Sequence, residues 1–159
     1  MCERAIIVDV MKPDQRRKAM RSNRGRTRPE RALAAGLWKS GLRYLTGEGY
    51  KSRCGRALVG NPDLVFSRKR VAVFVDGCFW HGCPSCGRVP PSMSAEWLAK
   101  IRANVERDER VTESLRRDGW TVIRLAEHFL KPRAAMEGII ERLANYLKQP
   151  DVAGPFYID

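Results

Sequence analysis

The sequence predicts an α/β sandwich, a small mixed sheet flanked by helices, on three observations. Residues 71–75 (Val-Ala-Val-Phe-Val) are an unbroken apolar run, as expected of a strand covered on both faces. A second run at 62–66 precedes it across Ser67-Arg68-Lys69-Arg70, which is the spacing of an antiparallel hairpin. Residues 95–118 and 133–148 carry apolar side chains at helical spacing on either side of a third strand-like run. At 159 residues the chain fits one domain able to bury a core without disulfide staples.

Taken in order, residues 1–26 have little hydrophobic period and are expected to form a basic arm that orders on a partner. Thr27-Arg28-Pro29-Glu30 then reads as a capping box with proline in the first turn, followed by Leu33, Leu37 and Trp38, so a helix is predicted at 28–40. Residues 42–46 read as a strand. Residues 47–60, with four glycines and three basic residues, read as an exposed loop able to touch a phosphate backbone. Asp63 opens the first strand of the hairpin. Pro90, Pro91 and Ser94 lead into the helix at 95–118, which Gly119 ends. Its stripe is Leu98, Ile101, Val105, Asp108, Thr112 and Leu115. Asp108 thus lies on the buried face, where an unpaired carboxylate costs several kcal/mol, and so requires a partner. Residues 120–125 alternate as a strand, with Glu127-His128 just past its end. Met136, Ile139, Ile140, Leu143 and Leu147 mark the last helix, at 133–148, and 149–159 form a tail.

Charge narrows the partner. The formal net charge is +12, and residues 12–31 hold nine Lys/Arg against two acids, so seven of those surplus charges sit in one short stretch. A stripe of that density fits a polyanion, most simply nucleic acid; the bland reading is a solubilising tail. No apolar run approaches the length of a membrane span, and Ala5-Ile6-Ile7-Val8 is too short for a leader, so a cytoplasmic protein without membrane contact is expected. Five cysteines in a reducing compartment point to metal or free thiols; Cys2 and Cys54 look incidental.

Chemistry concentrates just after the apolar strand. Cys78, Cys83 and Cys86 supply three soft ligands and His128 a fourth, a set suited to structural Zn²⁺; His81 competes for the same place. Asp63 and Asp76 are expected at neighbouring strand ends, where two carboxylates hold a hard cation such as Mg²⁺. With His81 preparing a water, this is the inventory for phosphodiester cleavage, although His81 could equally be a core or zinc-site histidine. Glu30 is either an acid of that site or only the capping-box residue. Phe79 and Trp80, bounded by Gly77 and Gly82, are core plugs or exposed wedges, and composition favours core.

These residues resemble the very-short-patch repair (Vsr) endonucleases, a family of DNA mismatch nicking enzymes. The matching pieces are Met20, Arg24-Gly25, Thr27-Arg28-Pro29-Glu30, Gly60-Asn61-Pro62-Asp63, and Val73-Phe74-Val75-Asp76-Gly77-Cys78-Phe79-Trp80-His81. Glu96-Trp97, Lys100-Ile101, Asn104-Val105-Glu106-Arg107-Asp108 and Gly119-Trp120-Thr121-Val122 continue the match, which covers residues 15–130. The resemblance implies a restriction-endonuclease-like fold with a structural zinc site and a nuclease domain over 27–148. It implies Mg²⁺-dependent nicking of double-stranded DNA 5′ to the thymine of a T·G mismatch, the lesion left by 5-methylcytosine deamination. Carried over residue by residue, Asp63 binds the metal with the Val75 carbonyl, His81 is the general base, Asp108 orients it, and Glu30 is an accessory acid. Phe79 and Trp80 become an intercalating wedge, Met20 enters from the other groove, and Trp97 lines the pocket. Arg16, Arg17, Lys18, Arg21 and Arg24 then contact the duplex. A bacterial, nucleoid-associated monomer with repair-pathway proteins as further partners is implied.

The chain departs from the family pattern at three places. Asp76 stands where the best-known members have a histidine and adds a further Mg²⁺ ligand. Cys83 takes a place often held by His, Cys86 falls one residue later than the usual second Cys, and His128 replaces a Cys, leaving four donors. Residues 46–59 are longer than usual and the Arg26-Thr27 region is one residue shorter. Two other readings are a restriction-type nuclease on matched or modified DNA, for which the usual Asp/Glu-x-Lys is missing, and a zinc-stabilised DNA-binding module without catalysis. The joint presence of Asp63, His81 and Asp108 argues against the second.

Overall fold

In the computed structural model, residues 27–83, 85–86, 94–131 and 133–149 are described. Helix α1 (Arg28–Lys39) and helix α2 (Gly47–Cys54) lead to strand β1 (Leu64–Phe66) and strand β2 (Val71–Asp76). Helix α3 (Ala95–Arg117), strand β3 (Thr121–Ala126) and helix α4 (Arg133–Lys148) follow. The sheet has the order β1-β2-β3, with β1 antiparallel and β3 parallel to β2, so the small mixed sheet is present. The expected basic arm (1–26) and most of the C-terminal tail lie outside the described residues, as do Met20 and the arm's arginines and lysine.

Strand β2 is central because both its faces are covered. Val71 and Val73 join Leu33, Leu37, Leu64, Ile123, Leu125, Leu130 and Leu143 in one core, beneath α1 and α4. Ala72 and Phe74 point the other way, into a second core with Tyr50, Val65, Val111, Leu115 and Trp120, beneath α3. An alternating strand would expose one of these sets; here helices cover both, which is why the run carries no polar residue. The hairpin turns through a 3₁₀ segment, Ser67–Lys69, closed by Arg70 in the left-handed region.

Two expectations fail between residues 42 and 60. Residues 42–46 form no strand: only Leu45 pairs, exchanging hydrogen bonds with Val65 at 2.9 and 2.7 Å. The chain cannot extend further because Thr46 already caps α2, its hydroxyl accepting the Gly49 N–H at 2.8 Å. Residues 47–60 are likewise not simply a loop. Thr46 starts α2, Gly55 in the left-handed conformation ends it, and Tyr50 is buried edge-on against Trp120 with ring centroids 5.6 Å apart. The predicted α1 is confirmed, and its capping box with it: both Glu30 oxygens accept from Thr27, one from the N–H at 3.0 Å and one from the hydroxyl at 2.6 Å. Val111, absent from the predicted stripe, is among the residues that α3 buries.

Candidate active site and metal centre

Asp63 is delivered by a turn that few sequences could form. Gly60 and Asn61 both have positive φ, at 78° and 52°. A Cβ on Gly60 would lie 2.4 Å from Val111 Cγ1, so glycine is required there on steric as well as conformational grounds. Pro62 is fully buried and its carbonyl accepts the Gly47 N–H at 2.9 Å, which ties the turn to the start of α2. Asp63 emerges beside β2, where its Oδ2 accepts the Val75 N–H at 2.7 Å. The backbone of Val75 and the carboxylate of Asp63 are thus locked side by side at one end of the sheet.

The chain then leaves β2 through a tight turn. The Trp80 and His81 N–H groups both donate to the Gly77 carbonyl, and the Cys83 N–H donates to that of Cys78. Gly82, at φ 61°, lets the turn lie against Val105 and Ile101 of α3. This geometry sends Cys78 and His81 to different places, and the two histidines of the protein end up in two distinct clusters.

In the first cluster, Cys78, Cys83 and Cys86 surround His128, with Sγ to Nδ1 distances of 3.3, 3.5 and 3.3 Å. The Cys83 and Cys86 sulfurs are 3.8 Å apart. Metal bonds of about 2.3 Å to sulfur and 2.0 Å to nitrogen would place tetrahedral ligands at about these separations, so the donor set fits zinc in both chemistry and size. Hydrogen bonds with the Cys78 side chain, followed by desolvation and the other neighbouring thiols, push the Cys86 thiol up to about 12. Burial would also raise the Cys83 thiol, but hydrogen bonds from the Cys86 and Ser85 backbone and neighbouring thiols outweigh it and lower that group. Crowded thiols of this kind ionise together only if a cation neutralises them.

The second cluster holds Asp76, His81 and Asp108. His81 Nδ1 is hydrogen-bonded to Asp108 Oδ2 and lies 3.7 Å from Asp76 Oδ1. The buried-face carboxylate of α3 therefore has its partner. It has a second one that the sequence reading missed: Arg124 of β3 reaches Asp108 Oδ1 with Nη2 at 3.0 Å. Arg124 also grips Asp76 with two hydrogen bonds, Nε to Oδ2 at 2.7 Å and Nη2 to Oδ1 at 2.9 Å. These groups, with Val105, Thr112 and Arg116, line an open cavity of about 430 Å³. Arg124 is the sole basic residue of the strand, and the demand of Asp108 for a partner was the signal that could have found it.

Asp63 is not part of the Asp76 cluster; its Oδ2 accepts the Val75 N–H instead. Glu30 is engaged by Thr27 in the α1 cap. Phe79 and Trp80 are half-buried, between the core plug and the exposed wedge. They pack edge-to-face at 5.0 Å, Trp80 continues to Trp97 at 5.5 Å, and Lys100 Nζ lies 5.1 Å above the Trp97 ring. Asn104 donates to the Trp80 carbonyl at 3.2 Å, which fastens this aromatic group to α3. No helix among the described residues is long and apolar enough to cross a membrane.

Comparison with known proteins agrees with this inventory. The family described as DNA mismatch endonuclease Vsr matches residues 8–88. The chain is 46% identical over 114 residues to the type II nicking enzyme V.NaeI of Lentzea aerocolonigenes, covering 71% of this chain and 68% of the relative. It is 37% identical over 145 residues to the type II nicking enzyme V.XorIIP of Xanthomonas oryzae, covering 89% and 98%. It is 39% identical over 108 residues to the DNA mismatch endonuclease Vsr of Escherichia coli K12, covering 65% and 69%. A glycine-bounded turn dividing two histidines between thiols and carboxylates, together with these matches, identifies the chain as a member of the Vsr family of DNA mismatch endonucleases.

Proposed function

We propose that this chain nicks one strand of duplex DNA at T·G mismatches, 5′ to the thymine, in a Mg²⁺-dependent reaction. The observation that carries the reading is the His81–Asp108 pair, open to a cavity at the same end of β2 at which Asp63 is fixed. With Nδ1 engaged by Asp108, His81 has Nε2 with which to take the proton of an attacking water. Asp108 holds the ring and stabilises the imidazolium that results. Asp63 and the Val75 carbonyl are the residues that would hold Mg²⁺, which supplies Lewis-acid polarisation of the scissile phosphate. Glu30 is the accessory acid, its carboxylate held by Thr27 at the start of α1.

In this reading residues 27–148 are the nuclease domain, and Cys78, Cys83, Cys86 and His128 hold a structural Zn²⁺ that fixes the turn carrying His81. Phe79 and Trp80 part the base stack at the mismatch, Trp97 lines their pocket, and Met20 enters from the opposite groove. Arg16, Arg17, Lys18, Arg21 and Arg24 hold the phosphate backbone without reading sequence. The protein acts as a cytoplasmic monomer at the nucleoid. Incubation with Mg²⁺ and T·G, C·A or fully paired duplexes of randomised flanking sequence tests the reading. Nicks confined to the T·G duplex are expected. Equal nicking of paired DNA would favour a restriction-type activity, and binding without nicks a DNA-binding module.

A further inference from the structure

Arg124 is bound to more of the acid cluster than any group with an assigned role. On β3 it stands opposite Phe74 in the register with β2, on the face that α3 covers, and its guanidinium lies 4.6 Å above the Phe74 ring. From there it takes both oxygens of Asp76 and one of Asp108, while Nη1 lies 3.5 Å from Thr112 Oγ1. The two carboxylates are only 15% and 14% exposed, so their mutual repulsion is weakly screened without this cation. Arg107 lies 3.5 Å from Asp108 but is 58% exposed and contributes little.

The geometry also contains a choice. Both carboxylates lie near His81 Nδ1, yet Asp108 makes the hydrogen bond and Asp76 stands back at 3.7 Å. Arg124 accounts for that choice. It engages both oxygens of Asp76 with a two-point contact, but takes only one oxygen of Asp108 and leaves the other for His81. A planar fork with fixed donor directions can do this, whereas a lysine ammonium, a single point of charge, cannot.

We propose that Arg124 is a positioning residue: it clamps Asp76 away from both His81 and the catalytic cation, so that Asp108 alone sets the orientation of His81. In this arrangement Asp76 is a structural anion rather than a cation ligand, and Asp63 is the carboxylate left for the metal. The proposal rests on the reading of His81 as the general base, but its first test does not depend on turnover.

That test is the imidazole Nδ1 proton of His81, observed by NMR on ¹⁵N-histidine protein and assigned by its loss in His81→Ala. With two histidines in the chain the spectrum is simple. Arg124→Leu should move or abolish this resonance while the His128 signals, the zinc content and the far-ultraviolet spectrum stay as in the parent. Arg124→Lys keeps the charge and serves where the leucine variant does not hold its fold; it should restore charge balance but not the parent resonance. In nicking assays both variants should lose kcat, the leucine variant by about 100-fold, with KM for the duplex within about threefold. Asp76→Asn should leave the His81–Asp108 resonance in place and the Mg²⁺ concentration for half-maximal rate unchanged. A parent-like His81 resonance in both Arg124 variants would overturn the clamp, as would a tenfold or greater rise in the Mg²⁺ midpoint of Asp76→Asn. If His81→Ala nicks at the parent rate, the general-base reading fails, while the NMR result on Arg124 still stands or falls by itself.

Discussion

Two clusters hang from the end of β2, each containing one of the chain's two histidines, and they differ in what surrounds the ring. His128 Nδ1 faces three sulfurs; His81 Nδ1 faces a carboxylate that is itself held by a guanidinium. Soft, crowded donors converge on a point that a cation could occupy, an arrangement suited to holding a metal. Carboxylates already paired with arginine are partly neutralised before any cation arrives. In the proposed reaction they would fix the ring so that its far nitrogen can exchange a proton. The same residue type would thus do opposite work in the two clusters, and its surroundings rather than the histidine decide which.

The largest effect should come from breaking the thiol side. Cys83→Ala, or exhaustive chelation, should remove the zinc and lower Tm by on the order of 10 °C, because a closed site loses most of its binding energy with one ligand. Nicking should be lost with the fold, and calorimetry with metal analysis checks both. Next in size, His81→Ala and Asp63→Asn should each cut the nicking rate by about 100- to 10,000-fold while Tm stays within a few degrees. Duplex binding by Asp63→Asn should remain within a few-fold of the parent in a gel-shift assay, and a parent nicking rate would remove Asp63 from the reaction.

A smaller, mixed effect is expected at Gly60. Alanine there meets both a positive φ and Val111, and should cost about 1–3 kcal/mol in denaturant unfolding. Because the same turn delivers Asp63, the rate should fall more than the stability loss alone explains. Proton linkage sharpens the comparison further. Metal binding needs the Cys86 thiolate, and that thiol is raised to about 12, so zinc uptake near neutral pH releases its proton. Zinc should accordingly be stripped faster by a chelator as pH falls, a trend followed by the release of zinc to a colorimetric dye. Least dramatic should be Phe79→Ala with Trp80→Ala, which should shrink the T·G over paired-duplex binding ratio more than it weakens paired binding. An unchanged ratio in a folded, zinc-loaded variant would move mismatch selection elsewhere.

Sequence patterning could be read where local chemistry and burial agree. The β2 run, the capping box of α1, the α3 and α4 stripes and the three-cysteine spacing all bear on elements the structure contains. It misled where short-range signals compete. Residues 47–60 are glycine-rich, but Thr46 and Gly55 are the two ends of a helix that Tyr50 buries against Trp120, a partner 70 residues away. Leu42, Tyr44 and Leu45 give residues 42–46 the composition of a strand, yet Thr46 turns the chain before more than one pair can form. Arg124 was invisible for a related reason. On an alternating strand a basic residue reads as solvent-facing, and nothing nearby announces that α3 covers that face and that Asp76, 48 residues earlier, supplies the anion.

The division of labour between the two histidines is the claim from which most of this follows, and metal analysis of His81→Ala beside His128→Ala tests it most directly. His81→Ala should retain zinc at the parent stoichiometry, and His128→Ala should lose it. Zinc absent from His81→Ala and retained in His128→Ala would mean that the two histidines have the opposite roles.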